Sequence, residues 1–114
     1  MHIDSYTFGQ IVIDGKEYTS DIIIYPNRVD SNLWRKEGHK LSIVDLEEAL
    51  QANPEILVIG TGYSGLMQVL PETEKYLKEQ NIQLIAERTE VACRKFNELT
   101  ETKKFVIAAF HLTC

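Results

Sequence analysis

The sequence predicts an α/β fold: a single three-layer domain with a mixed central β-sheet flanked by helices and an N-terminal β-hairpin or meander. Three observations support this prediction. In the second half, short apolar runs alternate with amphipathic stretches, as strands and helices do in α/β proteins. Near the start, Asp14-Gly15 favours a tight hairpin turn. A length of 114 residues, 44% of them hydrophobic, suits one buried core, so we expect one domain over residues 1–114.

The opening hairpin is indicated on both sides of its turn. Aromatic and β-branched side chains in residues 6–13 lead into Asp14-Gly15, and residues 18–25 follow with three consecutive isoleucines. Residues 26–40 show no sustained periodicity, so they predict a long loop or a broken strand around Trp34.

The first helix is expected to begin after Ser42, because Asp45 completes a pattern that resembles a capping box. Asn53-Pro54 ends it. Its apolar face comprises Ile43, Leu46, Ala49 and Leu50. Residues 56–59 are all apolar and lie between turn residues, which is typical of a strand buried on both faces.

Two more helices alternate with two strands in the rest of the chain. Pro71 suits the first position of a helix over residues 71–80. Thr89 is the expected cap of the third helix. The apolar stripe of that helix is Val91, Ala92, Phe96 and Leu99. Residues 82–86 and 105–110 predict the flanking strands.

Charge and composition argue against several functional classes. The net charge of -5 opposes nucleic-acid binding through the overall field of the protein. The first residues lack the basic and apolar regions of a signal peptide, and no stretch reaches about 18 uninterrupted apolar residues. We therefore expect a cytoplasmic protein without membrane insertion. Cys93 and Cys114 are too few for a disulfide framework, so both are expected to be reduced.

The sharpest local motif is Gly60-x-Gly62-x-x-Gly65, which follows an apolar strand as in dinucleotide-binding loops. Glu87 even lies about 20 residues further, where a ribose-binding acid would lie. However, Pro71 would interrupt a helix that opens at Gly65. We therefore predict a plain glycine turn and no cofactor, with binding of a smaller anion as the open alternative.

Catalytic and metal motifs are weaker. Ser64 lacks the Gly-x-Ser-x-Gly spacing of a nucleophile elbow, although His111 could act as its base in space. His111-x-x-Cys114 could present two metal ligands, but the paired close cysteines of structural zinc sites are missing from the sequence. We predict no catalytic residue and no metal site.

Several short motifs are spread over nearly the whole chain: Phe8-Gly9, Asp14-Gly15, Tyr18 and Asp21; Trp34 and Gly38-His39; Gly60-Thr61-Gly62; Thr89, Ala92 and Asn97; and residues 108–114. In this order and spacing they resemble the family of small α/β domains that includes mitochondrial complex I assembly factor 3 and the adipogenesis-associated domain protein. The resemblance implies a three-layer fold with a mixed sheet and, for the mitochondrial members, a role in assembling a respiratory complex. It implies no established chemistry. The chain looks like a prokaryotic member.

A basic loop is the first candidate for contact with a partner. Residues 26–40 concentrate positive charge around the only tryptophan, and Trp and Arg are enriched at the energetic centres of interfaces. The candidate residues are Arg28, Trp34, Arg35 and His39. The alternative is that Trp34 packs into the core beneath a solvated loop.

The second candidate is the edge where three predicted strands end. If the strands ending at Ile59, Ala86 and Phe110 are parallel neighbours, their carboxyl ends form the edge at which open α/β sheets bind ligands. The residues brought together would be Gly60, Thr61, Gly62, Arg88, Thr89 and His111. An antiparallel last strand would remove His111 from this set.

Two functions therefore remain. The first is a non-catalytic binding or assembly module that contacts a protein partner, which draws mainly on the resemblance. The alternative is a small-anion or metabolite site at the strand ends, with or without catalysis, in which His111 is the acid–base group suited to neutral pH.

Overall fold

The computed structural model of the chain describes residues 1–31, 33 and 40–113. Three residues predicted to contact a partner, Trp34, Arg35 and His39, lie outside the described residues, as does Cys114.

A three-stranded antiparallel meander opens the fold. Its strands are β1 (Ile3–Thr7), β2 (Gln10–Ile13) and β3 (Lys16–Tyr18), and they lie in that order. Asp14 and Gly15 have φ angles of 49° and 79°, the left-handed backbone that a tight hairpin turn requires. The predicted meander is confirmed. Residues 18–25, expected as its continuation, instead divide after Tyr18 and pass into the central sheet.

The remaining strands of the described chain are β4 (Ile22–Tyr25), β5 (Arg28–Asp30), β6 (Lys40–Leu41), β7 (Ile56–Thr61), β8 (Gln68–Val69), β9 (Gln83–Glu87) and β10 (Val106–His111). Five of them form the central sheet in the order β5-β4-β10-β7-β9. β10 runs parallel to β7 and antiparallel to β4, and β7 runs parallel to β9. The predicted mixed sheet is confirmed, and β10 is its middle strand. β6 and β8 form a separate small parallel pair.

The first two helical segments begin where the sequence predicts, and the third begins one residue earlier than expected. A short 3-10 turn over Ile43–Leu46 leads into α1 (Glu47–Gln51), and the Ser42 amide donates to Asp45 Oδ2 at 2.9 Å, which confirms the capping box. α2 (Pro71–Glu79) has Pro71 in its first turn, and α3 (Thr89–Thr100) precedes β10. No helix in the described ranges is both long and apolar enough to cross a lipid bilayer.

Two apolar clusters cover the two faces of the central sheet. Alternate residues of β10 supply them: Val106, Ala108 and Phe110 pack with the meander and α3, whereas Ile107 and Ala109 pack with α1 and α2. All residues of β10 are buried. The fold is therefore three-layered, with the meander and α3 side by side in one outer layer.

Candidate functional site

The ends of the parallel strands meet as the sequence predicts. β7, β9 and β10 are parallel neighbours, so the residues that follow them lie at one edge of the sheet. The structure brings together Gly60, Thr61, Gly62, Arg88, Thr89 and His111 through hydrogen bonds and close packing. Their grouping is thus observed, and a ligand bound to them stays a prediction.

Thr89 connects the three segments of this edge. Its hydroxyl donates to the His111 carbonyl at 2.6 Å and accepts the Gly62 amide at 2.9 Å, and its own amide donates to the Gly62 carbonyl at 3.1 Å. The side chain is fully buried. Thr89 was expected to cap α3, but Arg88 holds the cap position and Thr89 is the first helical residue. Its hydroxyl is directed to the strand ends instead, where two backbone groups need partners.

The glycines of this edge allow close packing. A Cβ at Gly60 would lie 2.7 Å from Phe110 Cδ1 and 2.8 Å from Thr89 Oγ1, so a larger residue does not fit without movement. Gly62 and Gly65 have φ angles of 105° and 74°. The segment after Gly65 forms β8 before α2 starts at Pro71, so no helix opens on this loop. These features agree with a glycine turn.

His111 is oriented by the carboxylate of Asp21, a residue that was not among the site residues predicted from the sequence. Its side chain is 6% exposed, and its Nδ1 lies 2.8 Å from Asp21 Oδ2. The other carboxylate oxygen of Asp21 accepts the Leu112 amide at 2.9 Å. The signal in the sequence was a single acid directly before the apolar run 22–24. Asp21 links the start of β4 to the end of β10 and holds the imidazole in place.

An exposed apolar surface adjoins this edge. We call Phe8, Tyr63 and Leu66 the aromatic patch; they are 57%, 50% and 55% exposed. The Phe8 and Tyr63 rings meet edge to face, with centroids 5.7 Å apart. Sequence alone did not indicate this patch, because Phe8 and Tyr63 lie in two turns far apart along the chain.

The backbone holds both turns of the aromatic patch against the segment that follows β10. The Gly9 amide donates to the Leu112 carbonyl at 2.8 Å, and the Tyr63 amide donates to the Thr113 carbonyl at 3.2 Å. The Tyr6 hydroxyl also donates to the Leu112 carbonyl, at 2.8 Å. The patch therefore rests on a fixed backbone, which lowers the entropy cost of binding through it.

Arg28, predicted to contact a partner, is used within the domain. Its Nη2 lies 2.6 Å from Glu48 Oε1, and its guanidinium lies 4.0 Å from the centre of the Tyr25 ring. The ion pair joins β5 to α1, and the contact with the Tyr25 ring joins β5 to β4. About half of the side chain is exposed, and contact with a partner stays a prediction.

Among the described residues, no group of three or more His, Cys, Asp or Glu side chains could hold a metal ion. Cys114, the second member of the His111-x-x-Cys114 pair, lies outside them.

The buried thiol of Cys93 should be unreactive in the folded protein. Burial raises its pKa to about 12 from an ordinary value of 9.0. In a Cys114→Ser variant, alkylation by iodoacetamide at mildly alkaline pH should be far slower in the native protein than in urea. Because the unfolded thiol ionises first, the free energy of unfolding should decrease as pH rises from about 9 towards 12.

A Cys93→Ala/Cys114→Ser variant provides the control. Burial also raises the pKa of Tyr6 to about 12, so part of the alkaline decrease in stability belongs to that hydroxyl. The difference between the two variants isolates the contribution of Cys93. Equal alkylation rates in native and unfolded protein would contradict its burial.

Known proteins are similar to this chain in sequence and in fold. The chain is 24% identical over 110 residues to NADH dehydrogenase [ubiquinone] 1 alpha subcomplex assembly factor 3 of Xenopus tropicalis, covering 96% of this chain and 60% of that protein. The chain thus spans less than two thirds of that relative's length. The crystal structure of the conserved hypothetical protein PH1505 from Pyrococcus horikoshii OT3 matches with a TM-score of 0.87 and 34% identity over 100% of both chains.

A second solved structure, MT938, has a TM-score of 0.82 and 24% identity, covering 99% of this chain and 98% of its own. At this identity the match supports the fold. The family model described as a protein of unknown function (DUF498/DUF598) matches residues 3–111. The chain therefore belongs to that family.

Proposed function

We propose that this domain is a non-catalytic protein-binding module that acts in the assembly of a larger complex, and that the aromatic patch contacts the partner. The observation that carries the proposal is the exposure of Phe8, Tyr63 and Leu66 on two adjoining turns. Large apolar side chains grouped on a surface favour a binding site, and tyrosine is enriched among the residues that dominate binding energy.

The distant relative supports the same class of function. An assembly factor acts through protein contacts, and the Xenopus tropicalis protein carries that description. We propose an assembly role for this chain by analogy with that relative. The cytoplasmic location expected from the sequence also stays a prediction.

The small-anion alternative has less support. Two groups that would meet an anion at the strand ends, the Gly62 amide and the Thr89 hydroxyl, already bond to each other at 2.9 Å. The Thr61 hydroxyl donates to the Glu87 carbonyl at 3.1 Å. Binding there would require these bonds to be exchanged for bonds to the ligand, at a cost that protein binding through the aromatic patch does not incur.

The proposal is tested with a Tyr63→Ser/Leu66→Ser variant. Both side chains are half exposed, so the variant should keep the melting temperature of the parent protein. Proteins crosslinked to the parent domain in cells of its source are identified by mass spectrometry, and one purified partner is titrated against each variant. Loss of about 2 kcal/mol, a typical value for a dominant interface residue, corresponds to roughly 30-fold weaker binding.

Val44→Ser is the matched control. Val44 is a large apolar side chain that is 60% exposed, and it lies in the turn before α1. The Val44→Ser variant should bind the partner with the affinity of the parent protein. Equal affinity for the Tyr63→Ser/Leu66→Ser variant would refute the aromatic patch as the contact surface.

A further inference from the structure

The two edge strands of the central sheet, β5 and β9, differ in how well they resist pairing with another chain. Natural edge strands resist it with charged side chains, proline, bulges or short length. β5 has three residues, two of them charged, and Pro26 lies just before it. β9 has five residues without proline, pairs with β7 in unbroken register and holds one charged residue, Glu87, at its end. β9 therefore lacks the features that protect β5.

The outer side of β9 presents backbone groups that can pair with another strand. The Gln83 amide donates to the Glu55 carbonyl at 3.0 Å, so the odd-numbered residues of β9 direct their N–H and C=O groups towards β7. Leu84 and Ala86 direct theirs the opposite way. Within the described residues, β9 pairs with β7 alone, and no hydrogen bond reaches these outward groups.

Apolar side chains lie on both faces of β9 beside these backbone groups. Ala86 is exposed, and Leu84 and Ile85 are half-buried. Leu84 packs at the border of the apolar cluster that contains α1 and α2, whereas Ile85 packs at the border of the cluster that contains the meander and α3. A strand added to this edge would cover apolar surface on both faces of the sheet.

We propose that two copies of this chain associate by antiparallel pairing of their β9 strands, which joins their central sheets into one sheet of ten strands, five from each copy. With the two-fold axis at Ile85, Leu84 of each copy lies opposite Ala86 of the other. Both of these pairs then exchange N–H···O=C hydrogen bonds, because all four residues direct their backbone groups outward. Ile85 meets its own counterpart between them.

The polar residues of β9 fit the same register. Gln83 would lie opposite Glu87 of the other copy, so a neutral amide donor faces a carboxylate and no like charges oppose each other. Lys95 Nζ lies 3.7 Å from the Glu87 carboxylate within each copy and offsets its charge. The edge is thus complementary to itself in hydrogen bonding, apolar contact and charge, as a two-fold interface requires. This inference does not rest on the aromatic patch.

Sedimentation equilibrium of the full chain, from about 10 μM to about 1 mM under reducing conditions, tests the association. The average mass should rise from that of one chain towards that of two. Over the same concentrations, hydrogen exchange at the Leu84 and Ala86 amides should slow, because these amides gain acceptors in the second copy. The amides of β5, at the opposite edge of the sheet, should exchange at unchanged rates.

Gln83→Lys and Gln83→Glu test the register. Gln83 is exposed, so both variants should keep the melting temperature of the parent. Lysine would face the Glu87 carboxylate of the other copy and attract it, whereas glutamate would repel it, and each contact occurs twice in a two-fold dimer. At low salt, Gln83→Lys should therefore associate roughly tenfold more tightly than Gln83→Glu. Added salt should reduce this difference.

Gln51→Lys and Gln51→Glu are the matched controls for net charge. Gln51 is exposed and lies in α1, which the Arg28–Glu48 ion pair joins to β5 at the opposite edge. These two variants should associate with similar affinity. The mass of one chain at every concentration, or association without slower exchange at Leu84 and Ala86, would overturn the proposal. A difference between the Gln83 variants no larger than that between the Gln51 variants would overturn it as well. None of these results would bear on the Tyr63→Ser/Leu66→Ser experiment.

Discussion

Replacing Thr89 by valine is expected to lower the free energy of unfolding by about 3 kcal/mol, because two buried backbone groups lose their partner at once. The Gly62 amide would lose its acceptor and the His111 carbonyl would lose its donor, while the volume of residue 89 would hardly change. For a domain of this size the melting temperature should fall by roughly 12 °C. Urea denaturation followed by circular dichroism measures the change.

Thr73→Val is the matched control for this prediction. Thr73 is equally buried, but within the described residues its hydroxyl bonds to the Leu41 carbonyl alone, to which it donates at 3.1 Å. Thr73→Val should lower the free energy of unfolding by about half as much as Thr89→Val does. Thr89→Ser keeps the hydroxyl and should recover most of the loss. If Thr89→Val were no more damaging than Thr73→Val, the connecting role of Thr89 would be wrong.

Gly60→Ala should also destabilise the protein, by about 1–3 kcal/mol, because the new methyl group overfills a packed core. It would lie 2.7 Å from Phe110 Cδ1 and 3.2 Å from Thr89 Cα, and the Thr89 backbone cannot move without displacing the start of α3. Thermal unfolding of the variant measures the loss.

A double-mutant cycle with Phe110→Val identifies the source of that loss. Valine has no δ carbon and so removes the nearest contact, and Gly60→Ala should therefore cost clearly less in the Phe110→Val background than in the parent. Strictly additive effects would show that the clash with Phe110 is not what destabilises the variant.

Much of the fold was predictable because its local signals agree with its packing. The all-apolar run 56–59, Pro71 at a helix start and Asp14-Gly15 at a turn each predict the element that forms there. The division of residues 18–25 between two sheets was not predictable from periodicity. Asp21 lies at this division, and its carboxylate bonds to His111 and to the Leu112 amide at the other end of the chain.

The sequence predicted which residues of the candidate site lie together, but it did not predict the hydrogen bonds between them. Parallel strands place Gly60, Thr89 and His111 at one edge whatever their side chains do. Distances of a few ångströms decide which polar groups form hydrogen bonds within the domain and which stay available to a ligand. The sequence does not give these distances. The aromatic patch was missed for a related reason: its two turns are far apart along the chain, and both are held in place by hydrogen bonds to the segment that follows β10.

The position of β10 has a consequence for biosynthesis. It is the middle strand of the central sheet, although it comes after every other strand of the described chain. While a ribosome is still making α3, β4 and β7 have no strand between them, and their apolar residues lack the contacts that β10 supplies in the folded protein. Closure of the sheet must wait for β10, through contacts distant in sequence, which slow folding. Until then the nascent chain exposes the unpaired edges of β4 and β7, which can pair with other chains. Chaperones protect nascent chains in this state.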